Sequence, residues 1–462
     1  MICMADYEKE AAELIAQDKK HLWHHITQHK NFVQQEPPIF IEGKGCMVKD
    51  VHGREFLDAV AGGVWCVNAG YGQESIAEAI CAQLKKLPYY SGSAGTPPTI
   101  QLADKLAELL PRLQHAYFSC SGSEANEKAF KLVRQYNRLK YPAKNKYKIL
   151  FRERDYHGTT LGALSATGQN ERTQGYGPFV PGFSAIPAAY CYRCPYGRCY
   201  PDCGIACAHA LEKIIQQEGP DTVGALILEP ITAGGGIIVP VKEYFTIIQE
   251  ICHKYEVLLI IDEVVTGFGR TGKAFGHQHW DVQPDMVTVA KGITSAYAPL
   301  SATLTTQTIF EAFLNAPDRV LDYFRDITTF GGSAGACAGA LENIRIFEDE
   351  KLFANSAKVG QYLKDRLEEL TDLPMVGDVR GKGLFLGVEI VKDKKTKEPA
   401  AESYMAAVVS NIAGQGVLIG RMNRSVSGQN NVLEIAPALV LEKLEADRIA
   451  AAVRQALETV RL

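Results

Sequence analysis

Residues 257–265 read VLLIIDEVV, and this stretch decides the fold. Apolar side chains run without interruption from Val257 to Ile261 and end on Asp262. A strand with one face in water would alternate polar and apolar residues. An unbroken run suits a strand covered on both faces, as in a parallel sheet. Three more runs share this character: KYKILFR at 146–152, GALILEP at 224–230 and MVTVAKG at 286–292. Amphipathic helical stretches lie between them. That alternation across residues 61–330 predicts an α/β architecture with a mostly parallel central sheet flanked by helices.

The same runs carry the chemistry. GALILEP delivers Glu229, VLLIIDEV delivers Asp262 and MVTVAKG delivers Lys291. Ligands of open parallel sheets bind at the carboxyl ends of the strands, so neighbouring strands would bring these three into one crevice. A lysine there suits imine chemistry, because desolvation and a nearby cation make its amine nucleophilic. An aspartate at the next strand end can hold a pyridine-type ring nitrogen protonated, which makes the ring an electron sink. Taken singly, each is also what a strand end entering solvent looks like.

An anion site is legible upstream. SCSGSEANE at 119–127 joins an expected strand to an expected helix, with Ser123 as its cap. Gly122 and Ser123 would offer backbone N–H groups and a hydroxyl to a phosphate at the helix start. DYHGTT at 155–160 places Tyr156 and His157 just past another strand, where Tyr156 could stack on a planar ring.

Outward from this core, residues 1–60 read as an amphipathic helix and short strands, with Gly53 in a hairpin turn. From about residue 350 the pattern becomes α+β: a helix in NSAKVGQYLKDRLEEL, then GLFLGVEIV, a helix near 402–414, VLIGR, LEIAPAL and a last helix at 441–461. We expect an N-terminal segment (1–60) belonging to a small domain, a large domain (61–335) and a C-terminal small α+β domain (336–462). With 49 basic and 53 acidic residues the formal charge is −4, which argues against a nucleic-acid binder. No apolar run reaches the length of a membrane span, and the acidic N-terminus does not read as an export signal. The expected location is a reducing cytoplasm, with the 12 cysteines mostly as thiols.

SGSEANE, YHG, LEP, IIDEVVTGFGRTG and the lysine of AKG, in this order and spacing, resemble the class III aminotransferases of fold type I over nearly the whole chain. The resemblance implies pyridoxal 5'-phosphate as cofactor and a homodimer, possibly a tetramer, with shared active sites. It implies that Lys291 binds the cofactor and Asp262 pairs with its ring nitrogen. Val264 and Tyr156 would sandwich the ring. Ser121, Gly122 and Ser123 would hold the phosphate, with His157, Gly158 and Glu229 completing the cofactor contacts. Thr329, in TTFGGS, would reach the neighbouring subunit's phosphate. Members of the family often carry His-Pro where this chain has Ser333 and Ala334.

Other readings compete. GFGRTGKA at 267–274 nearly matches a nucleotide-binding P-loop. However, Ala274 stands where a magnesium-binding hydroxyl is needed, and FGHQHWDVQPD does not read as the required helix. CYRCPYGRCYPDCGIAC holds Cys191, Cys194, Cys199, Cys203 and Cys207. Beyond the first Cys-x-x-Cys its spacing does not repeat and it contains no histidine, so we read thiols in a loop and assign no metal. HLWHHITQH at 21–29 lacks a carboxylate or cysteine to complete a metal set.

For the substrates, an arginine suits the carboxylate of a keto-acid acceptor. GVLIGRMNRSVSGQ offers Arg421 first and Arg424 second. Trp65 and Tyr90 are candidates for the pocket wall, and the resemblance brings Leu22 and Trp23 to the substrate entrance. GRMNRSV and YCYRCPYG look most like the taurine–pyruvate group of the family. That implies taurine, hypotaurine or β-alanine as donor and pyruvate as acceptor, giving an aldehyde and L-alanine. Diamine or 4-aminobutyrate transamination, or an amino-group mutase of the same fold, are the alternatives.

Overall fold

A computed structural model describes residues 4–317, 320–423 and 429–461. The N-terminal helix Met4–His21 is followed by the hairpin strands β1 (Phe40–Lys44), β2 (Met47–Asp50) and β3 (Glu55–Asp58). Gly53 makes the turn between β2 and β3 at φ 77°, with its N–H on the Asp50 carbonyl. Left-handed backbone of this kind is where glycine costs least.

The central sheet is built from β4 (His115–Ser119), β5 (Lys148–Arg152), β6 (Phe183–Ile186), β7 (Val223–Leu228), β8 (Leu258–Asp262), β9 (Met286–Val289) and β10 (Ser301–Thr305). Their spatial order is β4-β10-β9-β8-β7-β5-β6. Neighbours from β9 through β6 pair in parallel, and β10 alone runs against both β9 and β4. Every residue of β7, β8, β9 and β10 is buried, as the unbroken apolar runs require. The strand predicted at 257–265 stops at Asp262 because the Val264 N–H turns back onto Asp262 Oδ1 at 3.0 Å, a local turn that competes with the ladder.

The C-terminal part holds β11 (Val376–Lys382), β12 (Phe385–Asp393), β13 (Glu398–Pro399), β14 (Val417–Leu418), β15 (Gly420–Met422) and β16 (Val432–Ile435). β11, β12, β16 and β15 form one antiparallel sheet, with β13 beside β12. β14 instead pairs in parallel with β3, so the two ends of the chain share a sheet. The helices Leu352–Glu368, Glu402–Gly414 and Lys443–Thr459 match the expected ones closely.

One local expectation is corrected. The cap of the helix Gly122–Lys140 is Ser121, not Ser123. Ser121 Oγ accepts the Glu124 N–H and the Glu124 carboxylate accepts the Ser121 N–H, a reciprocal box. Ser123 lies inside the first turn, and its Oγ accepts the Thr159 N–H at 3.1 Å.

Candidate active site

Strands β7, β8 and β9 are adjacent and parallel, so their carboxyl ends lie together. Glu229, Asp262 and Lys291 stand at those ends. Lys291 is two residues beyond β9 and takes left-handed backbone at φ 45°. A non-glycine residue held there is strained, a condition that persists where surrounding structure enforces it and that collects at functional sites.

Asp262 is almost fully buried. Its Oδ2 accepts His157 Nδ1 at 2.8 Å and Asn126 Nδ2 at 2.8 Å, and its Oδ1 accepts the Val264 N–H. Three donors on one carboxylate hold it in place as an acceptor. Glu229 is also buried. Its Oε1 accepts the Tyr156 N–H at 2.9 Å and its other oxygen accepts the Ala233 N–H. Burial pushes the Glu229 carboxyl well above the usual range, and the charges of Asp155 and Asp262 push it the same way. Asp155 itself is ion-paired with fully buried Arg152 at 3.0 Å.

The segment from Tyr156 to Thr159 meets the start of the helix Gly122–Lys140. A Cβ on Gly122 would lie 3.0 Å from both methyls of Val264, and one on Gly158 would lie 2.4 Å from Ser123 Oγ. Gly122, Ser123, Gly158 and Val264 are thus drawn together. Tyr156 is half-buried, with the Arg172 guanidinium 5.1 Å from its ring centroid.

Trp65 comes to the same place from a distant segment. Ala61, Gly62, Gly63 and Trp65 all have positive φ. Asp58 anchors this coil by accepting the N–H groups of Val60 and Gly62 and the Tyr71 hydroxyl. The Lys291 ammonium ends 5.3 Å from the Trp65 ring centroid.

Most of the other expected site residues are exposed. Leu22 and Trp23 are 56% and 85% exposed, Tyr90 is 61% exposed, and Thr329 is exposed. Arg421, on β15, donates to the Glu402 carbonyl at 3.1 Å. Arg424 falls outside the described residues.

The P-loop-like stretch is packed, not open. Arg270 is fully buried and donates to Asn68 Oδ1 at 2.6 Å and to the carbonyls of Leu384 and Pro437. Side chains on Gly269 or Gly272 would strike Phe353 or Ala357. Only the short turn Gly276–His279 follows, so no helix dipole faces the glycines. Every described cysteine is a free thiol. Cys191, Cys194, Cys203 and Cys207 line one small cavity with Tyr196 and Tyr200. Among the described residues no group of three or more His, Cys, Asp or Glu is arranged to hold a metal ion, and no helix is long and apolar enough to cross a membrane.

Sequence reading missed Asn126 and Thr288. Asn126 sits on the helix stripe that continues through Ala129, Phe130 and Val133, all buried. Thr288 is the one polar residue within β9. A polar residue on an otherwise apolar face is the signal that marks both.

The family model for class-III aminotransferases matches residues 31–457. A taurine–pyruvate aminotransferase of Bilophila wadsworthia is 52% identical over 455 residues, 98% of each chain. A hypotaurine/taurine–pyruvate aminotransferase of Paracoccus denitrificans is 49% identical over 452 residues, again 98% of each. A crystal structure of an aminotransferase from Bacillus anthracis superposes with a TM-score of 0.93 at 42% identity, covering 97% of this chain and 99% of that one.

Proposed function

Because the chain belongs to the class III aminotransferases, a pyridoxal-phosphate-dependent family, we propose that it moves the amino group of taurine to pyruvate, giving sulfoacetaldehyde and L-alanine. The observation that carries this reading is the identity of about one half, over 98% of the chain, to relatives named for that reaction.

The residues present fit the cofactor. Gly122 and Gly158 leave room where a Cβ would collide, beside the hydroxyls of Ser121 and Ser123. A buried carboxylate, Asp262, supplies an acceptor for a ring N–H, and a lysine stands at the neighbouring strand end. When bound, pyridoxal phosphate supplies an electrophilic carbon for the amine and a ring that accepts the electron pair of the broken C–H bond.

The protein's own residues do the rest. Lys291 Nζ is the amine that anchors the cofactor and then carries the proton from the donor carbon and back. Asp262 would keep a ring nitrogen protonated, Val264 and Tyr156 would contact the ring, and His157 orients Asp262 through Nδ1. Glu229 fixes the Tyr156 backbone. Trp65 narrows the space beside Lys291, which suits a slender donor. Arg421 or Arg424 receives the acidic group of pyruvate, and a sulfonate calls for the same cation. Leu22, Trp23 and Tyr90 border the substrate entrance.

We assign cofactor binding to residues 61–335 and the smaller unit to 1–60 with 336–462. Exposed Leu321, Tyr323, Ile327 and Phe330 flank Thr329. Exposed apolar side chains at this density, though interleaved with Asp322, Arg325 and Asp326, support a homodimer in which Thr329 reaches the partner's phosphate site. We place the enzyme in a reducing cytoplasm, where cysteines stay as thiols.

The test of the donor is direct. Incubation with pyruvate and taurine, β-alanine, putrescine or 4-aminobutyrate should yield most alanine with taurine, with double-displacement kinetics. Alanine from another amine and none from taurine would move the assignment within the family. Rearrangement of a single substrate with no need of pyruvate would make it a mutase.

A further inference from the structure

Asn126 is 1% exposed, and every polar atom of its side chain is used. Nδ2 donates to Asp262 Oδ2 at 2.8 Å and to the His157 carbonyl at 2.7 Å, while Oδ1 accepts the Thr288 hydroxyl at 2.8 Å. The direction of the amide follows from these partners. A carbonyl only accepts, so the NH2 group must face His157, and the same group then faces Asp262. Thr288 holds the opposite end. A hydrophobic side chain would fill this part of the helix stripe without needing three polar partners. An amide here is explained by what it does to Asp262.

We propose that Asn126, oriented by Thr288, is a positioning residue that fixes the Asp262 carboxylate toward the cofactor's ring nitrogen. This rests on the reading of Asp262 as the partner of that nitrogen. Asn126 and His157 both donate to Oδ2, and Val264 N–H donates to Oδ1, so the carboxylate cannot rotate without breaking a buried bond. His157 touches Asp262 from the loop after β5, whereas Asn126 reaches it from the helix Gly122–Lys140 that begins at the phosphate-holding residues. One helix therefore registers both ends of the cofactor: its first turn at the phosphate and its second turn, through Asp262, at the ring nitrogen.

The test compares pyridoxal phosphate with its 1-deaza analogue, which has carbon in place of the ring nitrogen. Cofactor is stripped from the full-length enzyme, and dissociation constants for both probes are measured by fluorescence titration. Asn126→Val should weaken binding of pyridoxal phosphate by about tenfold or more, the scale of a hydrogen bond to a charged group. Binding of the 1-deaza analogue should be unchanged. Thr288→Val should act in the same direction, and Thr288→Ser, which keeps the hydroxyl, should restore wild-type affinity. Should Asn126→Val fail to fold, the Thr288 pair carries the test. Equal losses for both probes, or no loss for pyridoxal phosphate, would overturn the proposal. If Asp262→Ala itself did not distinguish the probes, the fault would lie in the reading of Asp262.

Discussion

The ammonium of Lys291 lies 5.3 Å from the centroid of the Trp65 ring, and that ring meets Phe385 edge-on at 5.7 Å. The indole N–H has no hydrogen-bond partner among the described residues. Trp65 offers bulk and an electron-rich face beside the lysine. Trp65→Leu should lower kcat/KM for taurine about tenfold while raising it for a bulky amine such as 1-phenylethylamine. An unchanged ratio between the two amines would remove Trp65 from the pocket wall.

The glycines of the cofactor cradle give a graded series. Gly122→Ala brings a methyl to 3.0 Å from Val264, which can give by a few tenths of an ångström. Gly158→Ala brings one to 2.4 Å from Ser123 Oγ on backbone at φ 142°. The first should weaken cofactor binding modestly and be relieved by Val264→Ala. The second should abolish retention of cofactor through gel filtration. Equal retention by all three proteins would show that the phosphate lies elsewhere.

Arg421→Met separates the two arginine candidates. If Arg421 receives the acidic group, KM for pyruvate should rise at least about tenfold, as expected for a lost charge-assisted pair. The rate with putrescine, which has no acidic group, should be retained in the first half-reaction, followed by stopped-flow absorbance. A wild-type KM for pyruvate would transfer the role to Arg424.

His279 gives a pH signature remote from the site. Burial, reinforced by the charges of Lys382 and Lys273, lowers its titration to about 4, against about 6.5 in an unfolded chain. As pH falls, the unfolded chain takes up the proton first. The stabilisation is therefore complete above the unfolded value and is lost as pH falls toward the folded one. For a half-buried ring, solvent screening limits this to about 1 kcal/mol. His279→Asn should flatten the dependence of the urea midpoint across that window. A slope equal to wild type would contradict the assignment.

Much of this was legible because burial on both faces leaves a plain trace. The runs at 224–230, 257–265 and 286–292 read as covered strands, and a covered strand ends where its polar residue begins. That nominated Glu229, Asp262 and Lys291, and the resemblance to the class III aminotransferases supplied their roles. The strand order that makes them neighbours was not legible, since it depends on which helices cross which face. The cap at Ser121 was missed because SCSGSE offers two serines, and only the reciprocal bonds with Glu124 choose between them. Trp65 could be nominated but not placed, because its position depends on positive φ at Ala61, Gly62 and Gly63 and on Asp58 holding the coil. Asn126 stood in plain sight within SGSEANE. Its importance lies in a contact 136 residues away in the chain, which local pattern does not carry.

In the proposed reading Lys291, at the end of the strand beside Asp262, carries the amino transfer. Lys291→Ala is the decisive variant, with the visible absorption of the bound cofactor and the alanine formed from taurine and pyruvate measured on the same sample. The lysine-dependent absorption band should disappear and alanine formation should fall to background. A folded Lys291→Ala protein that retained the band and formed alanine at a rate comparable to wild type would contradict it.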